Sequence, residues 1–366
     1  MNKKTLMVCG LISLSLSMQA QTKGGGIDKQ MMEKITAGHS STANRALANA
    51  IATNSIDDLA RNFKKAGKID SHFSVETTKQ NIHDQKSSGR CWLFTGLNVL
   101  RSNFASKHKD TLRVEFSHVY LSLHDQLEKY NLMLQGVIDN ANKPIEDPTV
   151  QFFFKHPIND GGTFCGVSDL VDKYGLVPME AMPESYSAEN TSRMASIISS
   201  KLREFGLELR KMVANKKSAA AIKERKTEML GDIYRILTLS LGEPVKTFEY
   251  AFKDKNGNSV GKPKTYTPQS FRDEVMGNKL NGTFIMAMND PRREYYKTYE
   301  VEYDRHTYDG HNWKYVNLPM EDIAKMSIAS LKDNTKMYTS YDVGKQLDRK
   351  RGFLDLDNYD YGTLFG

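Results

Sequence analysis

The stretch Gln85-Lys86-Ser87-Ser88-Gly89-Arg90-Cys91-Trp92-Leu93-Phe94 decides the fold of this chain. It places one of three cysteines beside one of two tryptophans, directly after a Ser-Ser-Gly turn. Apolar residues then follow at steps of four, three and four, the spacing of one buried helical face: Leu93, Leu97, Leu100 and Phe104. Cys91 is therefore predicted at the N-terminus of a buried helix. The helix dipole and the free backbone N–H groups there favour a thiolate.

This position suits a nucleophile, which needs a base to remove its proton and donors for the developing oxyanion. A free thiol, with a pKa of about 8.5, is little ionised at neutral pH, so a partner imidazole is expected. Gln85 lies six residues before Cys91, and its amide can fold back beside the cysteine. Cys91 as nucleophile and Gln85 as oxyanion donor are the candidate catalytic residues.

The chain of 366 residues is long enough for two domains or one elaborated domain. Its composition, 39% hydrophobic and 26% charged, is ordinary for a soluble globular protein. The formal net charge of +7 is mildly basic. Its densest part, Arg210 to Lys226, is interpreted as the solvated face of a helical hairpin. A nucleic-acid site there is the less favoured alternative, because no nucleic-acid-binding module accompanies it.

The N-terminus has the pattern of a secretory signal peptide over residues 1–20. Lys3 and Lys4 precede a mostly apolar run from Thr5 to Met18, and Ala20 supplies a small residue for cleavage. We expect an exported protein, periplasmic or secreted, with no membrane span in the rest of the chain. Cys91 and Cys165 would remain as free thiols, with Cys165 a small buried hydrophobe. Metal-binding patterns are lacking, so neither a metal nor a cofactor is expected.

Beyond residue 20, four regions are predicted. They are a helical arm (21–70), a helical half carrying the nucleophile (71–190), a helical insertion (191–241) and a mixed strand and helix segment (242–366). Helices are predicted over 116–131, 167–174 and 319–331, and a long one over 191–241 is interrupted near Asn215 and Ser218. A hairpin is predicted over 248–267 around Asn256-Gly257, and strands are predicted over 283–288, 299–303 and 336–343.

The pattern Gln-x-x-x-Gly-Arg-Cys-Trp resembles the papain superfamily, and arginine directly before the cysteine resembles its bleomycin hydrolase and aminopeptidase C branch. Further segments resemble that branch: Asn159-Asp160-Gly161-Gly162, Lys173-Tyr174-Gly175-Leu176-Val177-Pro178, Pro183-Glu184-Ser185-Tyr186, Asn289-Asp290-Pro291-Arg292, Asp342-Val343-Gly344-Lys345, Leu354-Asp355-Leu356-Asp357 and Tyr359-Asp360-Tyr361. The resemblance covers residues 70 to 366.

The resemblance implies an α+β fold, a papain-like core with helical insertions. It implies hydrolysis of peptides with a free N-terminus by Cys91 and Gln85, with Gly161, Gly162 and Trp92 at the substrate cleft. It also implies a homo-oligomer, since relatives form hexameric rings, and relatives block the cleft with their own C-terminal residues.

One departure stands against full activity. The branch carries its catalytic histidine in a Ser-His-Ala-like segment and its asparagine in Glu-Asn-Ser-Trp-Gly, and neither segment occurs here. We therefore expect that the chain is truncated, with the C-terminal β-domain largely missing and strand 336–343 unpaired. Loss of one member of a catalytic unit lowers turnover by about 10⁴ to 10⁶. The alternative function is a non-catalytic remnant that serves as a binding or oligomer-forming protein.

Overall fold

A computed structural model describes residues 25–37, 41–65, 70, 72–277, 279–302, 304–344 and 346–365. The predicted signal peptide and His39 lie outside these residues. The described helices are α1 Lys29–Thr36, α2 Thr42–Thr53, α3 Ile56–Ala60, α4 Cys91–Lys107, α5 His118–Asp139, α6 Pro148–Lys155, α7 Phe164–Tyr174, α8 Tyr186–Glu189, α9 Ser192–Ala214, α10 Ala219–Leu241, α11 Pro268–Met276, α12 Met320–Lys332 and α13 Tyr361–Phe365. The strands are β1 Phe248–Tyr250, β2 Lys264–Tyr266, β3 Ala287–Met288, β4 Thr298–Val301, β5 Trp313–Asn317, β6 Leu347–Asp348 and β7 Phe353–Leu354.

The chain divides into two compact units, residues 72–340 and residues 1–71 with 341–366. The mixture of helices and short strands confirms the predicted α+β class. None of the helices in the described part of the chain has the length and hydropathy needed to cross a bilayer.

The core of the larger unit is built on helix α4. The predicted apolar face is buried, with Leu93, Leu97, Leu100 and Phe104 each at most 3% exposed. Helices α5 and α7 pack against it. Helix α5 is capped by Ser117, whose hydroxyl accepts from the Tyr120 N–H. It runs eight residues past the predicted end at Asn131 because Met133, Leu134 and Val137 continue its buried face.

Helices α9 and α10 form the predicted helical hairpin and pack on α5. The hairpin is interrupted where predicted, and Ser218 caps α10 by accepting from the Ala221 N–H. Several of its basic side chains join elements together. Arg225 pairs with Glu208 at 2.7 Å, and Lys226 donates to side chains of α5. These cations therefore serve packing as well as solvation.

The strands form three small sheets. Strands β1 and β2 are the predicted antiparallel hairpin, with Phe248 opposite Tyr266. The second sheet has the order β3-β5-β4, with β3 parallel and β4 antiparallel to β5. The sequence predicted β3 and β4 as longer strands and missed β5.

The strand predicted over 336–343 was wrong, because the structure has no strand there. The sequence of this segment resembles a strand, but the Lys336 backbone is bonded to a side chain instead. Its N–H donates to Asn103 Oδ1 at 3.0 Å, and its carbonyl accepts from Asn103 Nδ2 at 3.3 Å. A side chain on α4 thus takes the place of a neighbouring strand.

The smaller unit combines helices α1 to α3 with β6, β7 and α13. Strands β6 and β7 pair antiparallel. Asp348 is fully buried and pairs with Arg61 at 3.0 Å and with Arg351 at 2.6 Å. Asn62 donates its backbone N–H to the Asn358 carbonyl at 2.9 Å. The predicted N-terminal arm is therefore packed against a segment from the end of the described chain.

Candidate functional site

Cys91 is the first residue of α4, and it is exposed as a free thiol. Arg90 precedes the helix without capping it through its side chain. The first N–H groups of a helix lack intrahelical partners, so they remain available to an anion at Cys91. The eleven buried residues of α4 fix this end of the helix in the core. A rigid helix thus presents an exposed thiol at its positive end.

Gln85 is held by the turn that leads into α4. Its Nε2 donates to the Ser88 carbonyl at 2.6 Å, and Ser88 Oγ donates back to the Gln85 carbonyl at 2.7 Å. Lys86 takes a left-handed conformation with φ of 53°, which tightens the turn. An amide NH₂ carries two hydrogens, and the Ser88 carbonyl takes one. In the described part of the chain, the second hydrogen makes no hydrogen bond.

Arg90 anchors the nucleophile loop from inside. It is 5% exposed, its Nε donates to Ser88 Oγ at 3.0 Å, and its guanidinium lies over the Phe94 ring at 5.1 Å. Its Nη2 lies 2.8 Å from a carboxylate oxygen of Glu184, an ion pair without hydrogen-bond alignment. The arginine that marks the resemblance therefore has a structural partner, in the Pro-Glu-Ser-Tyr segment that also marks it.

The segment Asp160-Gly161-Gly162 lies against this loop. Trp92 Nε1 donates to the Asp160 carbonyl at 2.8 Å, and a Cβ added to Gly89 would lie 2.9 Å from Asp160 Cγ. Lys129 Nζ donates to the Gly161 carbonyl at 2.7 Å. Glycine two residues before the cysteine is thus explained by close approach. The residues predicted for the cleft therefore lie on the Asp160–Gly162 segment and on the first turn of α4, which contact each other.

The two adjacent glycines have different surroundings. A Cβ added to Gly161 would meet only Asn159 Oδ1, at 3.2 Å. One added to Gly162 would lie 2.6 Å from Trp92 Cδ2 and 2.7 Å from His306 Nε2. Gly161 therefore faces open space, whereas Gly162 is required because two rings pack against its Cα.

His306 was not singled out by the sequence, yet it lies buried beside the predicted site. It is 3% exposed, its ring centroid is 4.5 Å from that of Trp92, and its Nδ1 lies 2.5 Å from Asp125 Oδ1. Asp125 also pairs with Lys129 at 2.9 Å. Burial alone would raise the pKa of Asp125, but Lys129 and His306 outweigh it and hold that pKa below its ordinary value.

One face of α7 holds the loop that carries His306. Gly166 makes room for the imidazole, and Asp169 accepts from the His311 N–H and from its Nδ1, both at 2.7 Å. Lys173 pairs with Asp309 at 2.7 Å. These three helix residues are spaced at i, i+3 and i+7, so they share a face. In the sequence, only the pair His306 and His311 around Asp309-Gly310 could have indicated this loop.

The remaining histidines with contacts near α4 and α5 are engaged elsewhere. His83 lies 3.1 Å from Glu115, and His124 Nδ1 lies 2.8 Å from the Tyr120 carbonyl. His118 stacks on Phe94 at 3.7 Å, and burial holds its pKa well below the ordinary value. Among the described residues, no histidine is hydrogen-bonded to Cys91. The described part of the chain thus presents a nucleophile without a paired imidazole.

Tyr338 also lies at this site and was missed, because its segment was read as a strand. Its hydroxyl is 3.5 Å from the Gly162 carbonyl, and its ring centroid is 5.7 Å from that of Phe164. Burial, with a smaller contribution from the Cys91 charge, raises the pKa of Tyr338 to about 12. The phenol therefore stays protonated at neutral pH.

A cavity of about 680 Å³ lies apart from these residues. It is lined by Cys165 of α7, by Phe284 and Met286 before β3, and by residues of β4 and β5 such as Tyr315, and by none of the predicted site residues. Cys165 is 8% exposed, as predicted for a buried hydrophobe, and burial raises the pKa of its thiol. No group of histidine, cysteine and carboxylate side chains suited to a metal ion occurs in the described part of the chain.

Comparison with known proteins gives one consistent family. Residues 26–366 match the Peptidase C1-like family. Aminopeptidase G of Lactobacillus delbrueckii subsp. lactis is 36% identical over 322 residues, which cover 88% of this chain and 73% of that one. Bleomycin hydrolase of Homo sapiens is 37% identical over 292 residues, covering 78% of this chain and 63% of that one. The crystal structure of PepW from Lactobacillus rhamnosis superposes with a TM-score of 0.86 at 30% identity, covering 93% of this chain and 76% of that one.

Proposed function

Because the chain belongs to the Peptidase C1-like family, in its bleomycin hydrolase and aminopeptidase C branch, we propose that it is a cysteine-type aminopeptidase acting on peptides with a free N-terminus. The observation that carries the proposal is Cys91, an exposed thiol at the first position of a buried helix. The names of the relatives, aminopeptidases and bleomycin hydrolases, support the substrate class.

The chemistry assigned to the loop is acyl transfer. The Cys91 thiolate attacks the scissile carbonyl carbon, and the carbonyl electrons move to its oxygen. The second amide hydrogen of Gln85 and the Cys91 N–H donate to that oxyanion. The thiol proton passes to a base and then to the leaving amine, and water releases the acyl group from Cys91. Gly161 and Gly162 form the wall against which the substrate lies, and Trp92, which is 3% exposed, supports that wall from the protein interior.

The described part of the chain does not place a base beside Cys91. The histidines around α4 and α5 are engaged with carboxylates, carbonyls or rings, and none in the described part of the chain is bonded to Cys91. We therefore propose that this chain alone turns over slowly, about 10⁴- to 10⁶-fold below a complete catalytic unit.

Hydrolysis of a fluorogenic dipeptide with a free N-terminus tests both parts of the proposal. Slow turnover that disappears in Cys91→Ala and falls about 10²- to 10³-fold in Gln85→Ala is expected. Cys165→Ala is the matched control and should keep the native rate. Activity that survives loss of Cys91 would remove the peptidase assignment. Native turnover of about 10 s⁻¹, the usual enzyme median, would instead show that the chain supplies its own base.

A non-catalytic binding role is the second candidate, favoured because no histidine in the described part of the chain is hydrogen-bonded to Cys91. It predicts that peptides bind with equal affinity to the native protein and to Cys91→Ala, while no product forms over days. Isothermal titration with a dipeptide, run beside the fluorogenic assay, distinguishes this role from slow catalysis.

Export and self-assembly are further parts of the proposal. Export rests on the sequence pattern of residues 1–20, and assembly into a ring rests on the family resemblance. N-terminal sequencing after expression in a Gram-negative host should begin just after Ala20, and an intact Met1 on the accumulated protein would contradict export. Light scattering at micromolar concentration should give a mass of several chains; a mass near the 41.5 kDa of one chain would contradict assembly.

A further inference from the structure

Three buried ionisable side chains, those of Lys129, Asp125 and His306, connect the Gly161 backbone to the Trp92 ring within the protein interior. Lys129 donates to the Gly161 carbonyl at 2.7 Å and pairs with Asp125 at 2.9 Å. Asp125 in turn meets His306 Nδ1 at 2.5 Å. All three are at most 8% exposed. Burying such groups is costly unless each has a partner, so an uninterrupted chain of contacts needs a physical explanation.

The chain of contacts closes on the nucleophile helix through Trp92. The Lys129 ammonium lies 5.0 Å from the Trp92 ring centroid, and the His306 ring lies 4.5 Å from it. Trp92 Nε1 donates to the Asp160 carbonyl at 2.8 Å. Consecutive carbonyls, of Asp160 and Gly161, are thus both held from the protein side. A residue next to Cys91 supplies one of these bonds.

The peptide group of Gly162 is not held by the protein in this way. In the part of the chain that the structure describes, the Gly162 N–H makes no hydrogen bond, while its Cα rests on the rings of Trp92 and His306. The Gly162 carbonyl meets only the Tyr338 hydroxyl, at 3.5 Å. The backbone is therefore fixed up to Gly161 and offers an unused donor at Gly162, which is what an extended peptide substrate can bind.

We infer that Lys129, Asp125 and His306 form a positioning network that sets the Asp160–Gly162 backbone to bind an extended peptide beside Cys91. The inference rests on the proposed peptidase function for its substrate and on geometry alone for the positioning. None of the three side chains touches the reacting atoms. Lys129 and Asp125 share α5, at i and i+4, and His306 arrives from the loop held by α7.

Two variants break the network at different contacts. Lys129→Met removes the donor to Gly161 and leaves Asp125 paired with His306. His306→Asn keeps a donor close to the position of Nδ1 but removes the ring that packs on Gly162. The matched control is His124→Gln, which removes a part-buried imidazole next to Asp125 on the same helix; His124 contacts Tyr120 and Tyr174 instead.

Amide hydrogen exchange followed by mass spectrometry measures the positioning directly on the full chain. The Gly161 N–H, which donates to Asn159 Oδ1 at 2.9 Å, should exchange at least tenfold faster in either network variant and at the native rate in His124→Gln. Peptides from α9 and α10 should exchange at native rates in all variants, which verifies folding. Native exchange of the Gly161 N–H in a folded Lys129→Met or His306→Asn would overturn the inference.

Covalent labelling of Cys91 measures the consequence for substrate without requiring turnover. A dipeptidyl vinyl sulfone with a free N-terminus should label Cys91 with saturation. Its half-saturating concentration should rise at least tenfold in the network variants, while alkylation by iodoacetamide, which does not use the cleft, should change less than twofold. Faster exchange with unchanged half-saturation would overturn the role in substrate binding.

The two measurements also separate this inference from the proposed function. If the native chain is labelled without saturation, the peptidase cleft is wrong, and the exchange data alone then decide whether the network positions the backbone. If labelling saturates in the native chain and the variants match it in both measurements, the function stands and the network is only a buried cluster.

Discussion

Gly166→Ala should destabilise the larger unit, although alanine is the better helix former. Gly166 lies in the first turns of α7, and a Cβ there would lie 2.5 Å from His306 Cε1 and closer still to two other ring atoms. Carbon atoms in contact lie about 3.5–4.0 Å apart, so the ring must move by more than about 1 Å. His306 has little room for this because Asp125, Trp92 and Gly162 surround it.

The expected magnitude follows from three opposing effects. Replacing a helical glycine by alanine gains about 1 kcal/mol. Overpacking a rigid core costs about 1–3 kcal/mol, and weakening a hydrogen bond to a buried carboxylate costs about 1.5–3 kcal/mol. The net loss in the free energy of unfolding is then about 1.5–5 kcal/mol. Gly231→Ala, in α10 with nothing within 4 Å of the added Cβ, should gain about 1 kcal/mol.

Urea unfolding followed by tryptophan fluorescence suits this comparison. Both tryptophans, Trp92 and Trp313, lie in the unit of residues 72–340, so the signal follows that unit. The midpoint should fall for Gly166→Ala and rise for Gly231→Ala with unchanged slope. In a His306→Ala background the loss from Gly166→Ala should disappear. Equal stabilisation by both alanines, or a loss that persists without His306, would refute the steric argument.

Three further predictions concern charge and thiols near α4. Burial and nearby cations lower the pKa of His118, so the unfolded chain binds a proton at a higher pH than the folded chain does. Stability should therefore fall as the pH drops below 6.5, the ordinary pKa of histidine. His118→Phe should flatten that fall in urea midpoints measured at pH 7.5 and 5.5. Arg90→Met should lower the free energy of unfolding by about 3 kcal/mol because it leaves Glu184 without its cation, and Arg90→Met with Glu184→Leu should recover most of that loss; equal single and double losses would contradict the ion pair. In the chain that begins at Gln21, which lacks Cys9, iodoacetamide should add one group in the folded state, at Cys91, and a second at Cys165 only in urea, as counted by intact mass; labelling of Cys165 in the folded state would contradict its burial.

Local patterns in the sequence predicted much of the helical framework. The face from Leu93 to Phe104 and the break between α9 and α10 depend on spacing and capping within a few residues. The Asn256-Gly257 turn is equally local, since Gly257 takes a φ of 85° that glycine tolerates. Such features need no knowledge of the rest of the fold.

Contacts between distant segments could not be predicted from the sequence. His306 and Asp125 are 181 residues apart, and nothing in either neighbourhood indicates the other. Tyr338 was missed because its segment was predicted as a strand, whereas Asn103 on α4 binds the Lys336 backbone in place of a strand. Motifs in the sequence identified the candidate nucleophile and the Gly-Gly segment, but the network of Lys129, Asp125 and His306 is visible only in the structure.

The turn around Gln85 has a consequence for the entropy of substrate binding. A free glutamine side chain loses about 1.5–2 kcal/mol of rotamer freedom when it is fixed in one conformation. Here the Ser88 carbonyl fixes the Gln85 amide at 2.6 Å before any peptide arrives, so this loss belongs to folding. Because the partner is a backbone carbonyl, no single side-chain replacement at Ser88 removes it. The proposed oxyanion donor is thus ordered in advance, so that an arriving carbonyl oxygen would meet a donor that has already lost its conformational freedom.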